Sequence, residues 1–199
     1  MESEYPFHML LLAYSFVMIS YRAYYMGYVD ASGETVPKLE EGIILRRLRY
    51  SLGLPFILGV VAYLLNPNWM RWSQWSDFPD ALRWVGVIIL AGSVFLYGWT
   101  HRYLGKNFTD TVYVRKESTL IQGGPYHWVR HPMYVSALMA AIGIFLVTAN
   151  WFLGVVGILL MFIIMRWRTP IEEQKLIERY GEAYHRYAER TGRFFPKLW

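Results

Sequence analysis

Apolar residues fall along this chain in five long blocks, separated by polar, charged or aromatic joints. The blocks run over about 5–28, 50–65, 81–104, 132–149 and 151–165. Uninterrupted apolar stretches of this length predict membrane-crossing helices. Pro55 inside the second is expected to kink it where neighbouring helices satisfy the freed backbone. Asn66-Pro67 closes that block, and Trp69, Trp72, Trp75 and Phe78 follow as an interfacial aromatic cluster. Asn150 alone separates the fourth and fifth blocks, which predicts a tight helical hairpin. Segments 105–131 and 166–199 are too polar to span. In the second of these, Leu176, Ile177, Tyr180, Tyr184 and Tyr187 recur at helical spacing and mark one face of an amphipathic helix, with a break expected at Gly181. The expected fold is therefore all-α: one polytopic membrane domain over 1–199, with about five transmembrane helices and a C-terminal amphipathic helix.

Composition sharpens this picture. The apolar fraction is 55% and the mean hydropathy +0.20, high for a soluble domain. There are no cysteines, which excludes disulfides, thiolate metal sites and cysteine nucleophiles. The net charge of +5 does not point to nucleic acid, because the basic residues sit at the ends of apolar blocks. Five spans sort eighteen lysines and arginines to one side and only Arg71 and Arg83 to the other. That bias predicts a cytoplasmic C-terminus and an N-terminus outside. Glu2 and Glu4 stand where a signal peptide would carry basic residues, so no cleavable leader is expected.

Chemistry concentrates in two clusters. Tyr126, His127, Arg130, His131 and Tyr134 precede the fourth block, and Arg166, Arg168, Glu172 and Glu173 follow the fifth. A hairpin brings both clusters to one membrane face, where arginines, carboxylates, a histidine and tyrosines form a site fit for a zwitterionic cofactor. Arg22, Arg83 and Arg102 read as arginines that snorkel from helix ends to the interface. Arg130 and Arg168 differ, because guanidinium forks bind carboxylates. Glu172 and Glu173 point about 100° apart on a helix, so one faces the site and the other solvent or an arginine. Pro132 suits a helix start, where free backbone amides receive carboxylates. The histidines have no metal-ligand spacing, and there is no nucleophile elbow or phosphate loop.

Gly124-Pro-Tyr126, Arg130-His-Pro-Met-Tyr134, Arg168-Thr-Pro-Ile-Glu-Glu173, Tyr180-Gly-Glu-Ala-Tyr184 and Thr191-Gly-Arg-Phe-Phe-Pro196 resemble the isoprenylcysteine carboxyl methyltransferase family and its phospholipid methyltransferase relatives. The resemblance covers roughly 80–199. It implies S-adenosylmethionine as cofactor, left as S-adenosylhomocysteine, at the cytoplasmic end of the last two membrane helices. Carried over, His131, Pro132, Met133, Tyr134, Tyr126, Tyr113 and the segment Ser118, Thr119, Leu120, Ile121 are cofactor contacts, and Glu172 is the cofactor-binding carboxylate. Arg168, assisted by Arg130, binds the acceptor. The implied partners are the bilayer and a lipidated or lipid-like acceptor, not nucleic acid. The implied location is the cell membrane for a prokaryotic member, which the short chain suggests, or the endoplasmic reticulum for a eukaryotic one.

A carboxylate acceptor needs the arginines. A phospholipid amine needs a base, with Glu173 as the candidate, and a small thiol is the remaining alternative. Membrane sterol reductases resemble the hairpin and tail but use NADPH. Pro132 and the Glu172-Glu173 pair favour the methyltransferase, and a non-catalytic scaffold leaves two convergent polar clusters unexplained.

Overall fold

A computed structural model describes residues 4–30, 43–105 and 119–197. Seven α-helices are described: α1 (Glu4–Asp30), α2 (Ile43–Leu65), α3 (Asp80–Leu104), α4 (Pro132–Thr148), α5 (Trp151–Ile163), α6 (Thr169–Tyr180) and α7 (Glu182–Arg190). Short 3₁₀ turns cover Pro67–Ser73 and Gly124–His127. No β-strand occurs among the described residues.

Arg46–Leu65, Asp80–Leu104 and Trp151–Tyr180 are long and apolar enough to cross a membrane, and Pro132–Thr148 is a shorter apolar helix. The outward faces carry large apolar side chains, among them Phe16, Ile57, Ile88, Phe95, Val155 and Phe162. An apolar surface this extensive belongs in lipid, and the chain is an integral membrane protein. The second block begins earlier than the sequence pattern suggests. Arg46, Arg47 and Arg49, which precede that block, lie on the first turns of α2.

The α4–α5 turn is as tight as the single Asn150 predicts. Ala149 takes a left-handed conformation, and the Asn150 side chain caps α5 by accepting from the Leu153 amide at 3.0 Å. Asn150 Nδ2 donates to Met70 O at 3.1 Å and to Ser73 Oγ at 2.8 Å, which pins the hairpin to the first 3₁₀ turn. Alongside, α3 and α4 touch backbone to backbone, since a Cβ on either Gly86 or Gly143 would lie 3.1 Å from the other's carbonyl oxygen.

Two further expectations are corrected. The fifth block does not end at Met165: α5 runs through a π-helical turn, Ile164–Arg168, directly into α6. Pro170 lacks an N–H and crowds the carbonyl four residues back, so the turn ahead of it widens instead of breaking. The continuous rod of 30 residues is about 45 Å long against a hydrocarbon core of about 30 Å. Its last turns therefore project beyond the lipid.

Arg83 does not snorkel. It is only 3% exposed, its Nη1 and Nη2 donate to Glu4 at 2.8 and 2.9 Å, and its Nε donates to Val147 O at 3.0 Å. Gln74 at 2.8 Å and Tyr63 at 3.2 Å also donate to Glu4, and Phe7 lies 3.9 Å beneath the guanidinium. This network closes the end of the bundle opposite the polar clusters. A core of Phe7, Leu11, Tyr63, Leu90, Ile144, Val147 and Leu153 fills the space next to it.

Candidate functional site

The start of α4 is held by the chain's tail. The Arg130 amide donates to Gly192 O at 2.8 Å and the His131 amide to Arg193 O at 3.1 Å. Arg130 Nη1 donates to Ala188 O at 2.9 Å and Thr191 O at 2.6 Å. Three of the five Arg130 donors are thus committed, because Nε also donates to Glu173 Oε1 at 2.8 Å.

Glu173 is the hub of this clasp. His131 Nε2 lies 3.2 Å from Oε1, and Arg193 donates to Oε2. Burial alone would raise its carboxyl. The hydrogen bonds from His131, Arg193 and Arg130 outweigh burial and hold its pKa at about 2. Glu173 is 7% exposed and is not part of the cavity wall described next. A buried carboxylate ionised this firmly is a poor proton acceptor, so the base role expected of Glu173 does not fit its setting.

Between the clasp and the membrane helices lies a cavity of about 510 Å³. Thr119, Leu120, Ile121, Tyr126, Arg130, His131, Pro132, Met133, Tyr134, Arg168 and Glu172 all line it. Tyr113 and Ser118 lie outside the described residues. Glu172 and Glu173 diverge as helix geometry requires: Glu172 faces the cavity and accepts from Tyr134 Oη at 2.6 Å, while Glu173 faces the arginines. Arg168 reaches the cavity from the π-helical turn, a distortion that recurs at functional sites.

Further residues that the sequence did not mark as site residues line the same space. Tyr180, Tyr184 and Tyr187 supply an aromatic wall. Their apolar-face spacing is visible in the sequence, but it reads equally as core. Burial pushes the Tyr126, Tyr184 and Tyr187 phenols up, so all three remain protonated donors. Tyr187 donates to Tyr126 O at 2.7 Å. The buried Tyr184 hydroxyl has no hydrogen-bond partner among the described residues. From the membrane side come Met18, Arg22, Phe56 and Tyr97, together with Ala137, Ala140, Ile144, Gly157 and Leu160. The cavity is therefore polar toward the tail and apolar toward the core, with the Glu172 carboxylate and three guanidinium-bearing residues, Arg22, Arg130 and Arg168, in its wall. Among the described residues no group of histidines and carboxylates is suited to a metal ion.

The phospholipid methyltransferase family profile matches residues 81–183. Protein-S-isoprenylcysteine O-methyltransferase of Rattus norvegicus is 37% identical over 160 residues, 71% of this chain and 56% of that protein. Methanethiol S-methyltransferase of Pseudomonas deceptionensis is 30% identical over 162 residues, 77% of this chain and 60% of that protein. The solved structure of a eukaryotic intramembrane Ras methyltransferase (isoprenylcysteine carboxyl methyltransferase) superposes with a TM-score of 0.54 at 20% identity, covering 82% of this chain and 55% of that one. That likeness shows a shared fold. The chain spans between 55% and 60% of the length of these relatives.

Proposed function

Since the chain belongs to the phospholipid methyltransferase family, we propose that it is an S-adenosylmethionine-dependent membrane methyltransferase whose favoured acceptor is the carboxylate of a lipid-like molecule. The observation that carries this reading is the two-sided cavity. Glu172, Tyr134 and the tyrosine wall suit a zwitterionic nucleoside cofactor, while the apolar half suits a hydrocarbon tail. The cofactor fits the side chains present. Glu172 offers an acceptor for its ammonium group, the unpartnered Tyr184 hydroxyl offers a donor, and the aromatic faces offer a bed for a purine. Thr119, Leu120, Ile121, Tyr126, His131, Pro132 and Met133 complete the cofactor's surroundings in this reading, with Tyr113 and Ser118 the further contacts that the resemblance implies.

When bound, the cofactor supplies a sulfonium methyl whose transfer to an ionised carboxylate forms one C–O bond, returns the C–S pair to sulfur and needs no base. The protein's part is then to orient the acceptor oxygen and exclude water. Arg168 orients the acceptor carboxylate. Arg130, largely occupied by the tail, assists through its remaining donors and keeps the clasp closed, and Glu173 positions Arg130 and His131. In this reading α1 and α4 also cross the bilayer, giving five spans, with α6 and α7 on the cytoplasmic side. The membrane is the cell membrane in a prokaryotic host and the endoplasmic reticulum in a eukaryotic one.

A second acceptor class, a thiol, is favoured by one observation: similarity to methanethiol S-methyltransferase over 77% of the chain. An amine acceptor loses support, because Glu173, its candidate base, faces Arg130 and Arg193 and does not line the cavity.

Calorimetric titration of the detergent-purified protein with S-adenosylhomocysteine, with NADPH in parallel, tests the reading. Saturable binding of the first alone is expected. Binding of NADPH alone, or of neither to a folded sample, would overturn it.

A further inference from the structure

Residues preceding the family-matched segment 81–183 also reach the cavity, and among the described residues they are three: Met18 and Arg22 on α1, and Phe56 on α2. We infer that Arg22 and Phe56 select the acceptor: Arg22 binds its anionic head and Phe56 closes the floor under its tail. This rests on the methyltransferase reading above and assigns acceptor choice within it.

The levels of these residues follow from helix rise. Arg83 contacts both Glu4 and Val147, and Tyr63 also contacts Glu4, so these residues share one level at the far end of the bundle. Arg22 lies eighteen residues along α1 from Glu4, about 27 Å higher, and Pro132 lies fifteen residues along α4 from Val147, about 22 Å higher. Arg22 is therefore level with the start of α4, beside Arg130 and His131. One turn below it on the same face, Met18 lines the apolar part of the cavity. This face of α1 thus presents a cation at the interface and an apolar side chain beneath it, the order of polarity of an amphiphile with an acidic head.

The floor is equally defined. Phe56 lies seven residues from Tyr63, about 10 Å above the same reference level. A Cβ at Gly157 would lie 2.6 Å from Phe56 Cε2, so the ring rests directly on the Gly157 backbone. Ile144 lines the cavity beside it and also belongs to the core, against which Phe56 packs. The cavity is thus closed below by packed side chains. Its depth from head to floor is about 15 Å, or one leaflet of the roughly 30 Å hydrocarbon core. A tail that fills it ends at Phe56.

The experiment measures methyl transfer to a series of S-prenylcysteine carboxylates with geranyl, farnesyl and geranylgeranyl tails, alongside S-adenosylhomocysteine affinity for every variant. R22Q is expected to raise KM for these carboxylates about tenfold or more, with kcat little changed and S-adenosylhomocysteine affinity intact. R22K is expected to recover most of the loss. F56A is expected to raise the ratio of kcat/KM for the longest tail over the middle one by about tenfold, without altering cofactor affinity. An unchanged KM in R22Q, or an unchanged tail-length profile in F56A, in an otherwise active enzyme would overturn the proposal alone. A wild type that binds S-adenosylhomocysteine yet methylates no carboxylate of any length would overturn the carboxylate reading and this proposal together.

Discussion

Glu173→Gln removes the charge from the hub of the tail clasp while preserving its shape. In the wild type the carboxylate receives Arg130, His131 and Arg193 at a site 7% exposed. Its pKa falls from an ordinary 4.5 to about 2, a gap equivalent to about 3 kcal/mol of folding stability at neutral pH. For a chain of this size that corresponds to a fall in Tm of roughly 6–12 °C. The sign of the pH dependence follows from the depressed value. The stabilisation is fully present above pH 4.5 and is lost as pH falls toward 2, because the folded state then takes up a proton that the unfolded chain already holds. Thermal unfolding in detergent, followed by tryptophan fluorescence between pH 7 and pH 3, should therefore show wild type and E173Q far apart at pH 7 and converging as the medium is acidified. Equal Tm values at pH 7, or a gap that persists unchanged to pH 3, would refute the argument that ionised Glu173 holds the clasp.

Three further outcomes follow from the same geometry. Glu4→Gln leaves the Arg83 guanidinium buried without a charged acceptor at bonding distance and should cost about 3–5 kcal/mol. The double variant E4L/R83M should regain most of that in the same unfolding assay, and a lack of rescue would mean that the pair is not coupled. Glu172→Ala should weaken S-adenosylhomocysteine binding by about 10–100-fold by calorimetry, and unchanged affinity would remove Glu172 from the cofactor site. Arg168→Ala should leave that affinity within a few-fold while lowering methyl transfer to a prenylcysteine carboxylate by about 100-fold; loss of cofactor affinity instead would reassign the residue.

Much of this was legible from local pattern. The single Asn150 between two apolar blocks encodes the hairpin, Pro132 the start of α4, and Gly181, which takes a positive φ of 53°, the break between α6 and α7. The hairpin then brings Tyr126, Arg130, His131, Tyr134, Arg168 and Glu172 onto one cavity, while His127, Arg166 and Glu173 stay off its wall. What was hidden depends on distant partners or on cooperative backbone geometry. Arg83 resembles any interfacial arginine until Glu4, seventy-nine residues away, is placed beside it. Arg22 looks the same by sequence, and only the packing of α1 sets it on the cavity wall. The continuation of the helix through Pro170 was hidden, because no local rule distinguishes a broken turn from a widened one. Glu173 and Glu172 are chemically identical neighbours, and it took the positions of Arg130 and Arg193 to separate their tasks.

The π-helical turn acts as a phase shifter between two parts of one rod. It winds one extra residue into its turn, so everything after it is rotated by roughly 100° relative to an unbroken α-helix. The lipid-facing pattern of Trp151–Ile163 and the cavity-facing pattern of Arg168, Glu172 and Leu176 are thereby indexed independently. Loss of a single residue between Ile164 and Arg168 would leave the membrane portion untouched, yet swing Glu172 off the cavity and bring another side chain into its place. In this rod, the residue count of one turn decides which carboxylate faces the cavity.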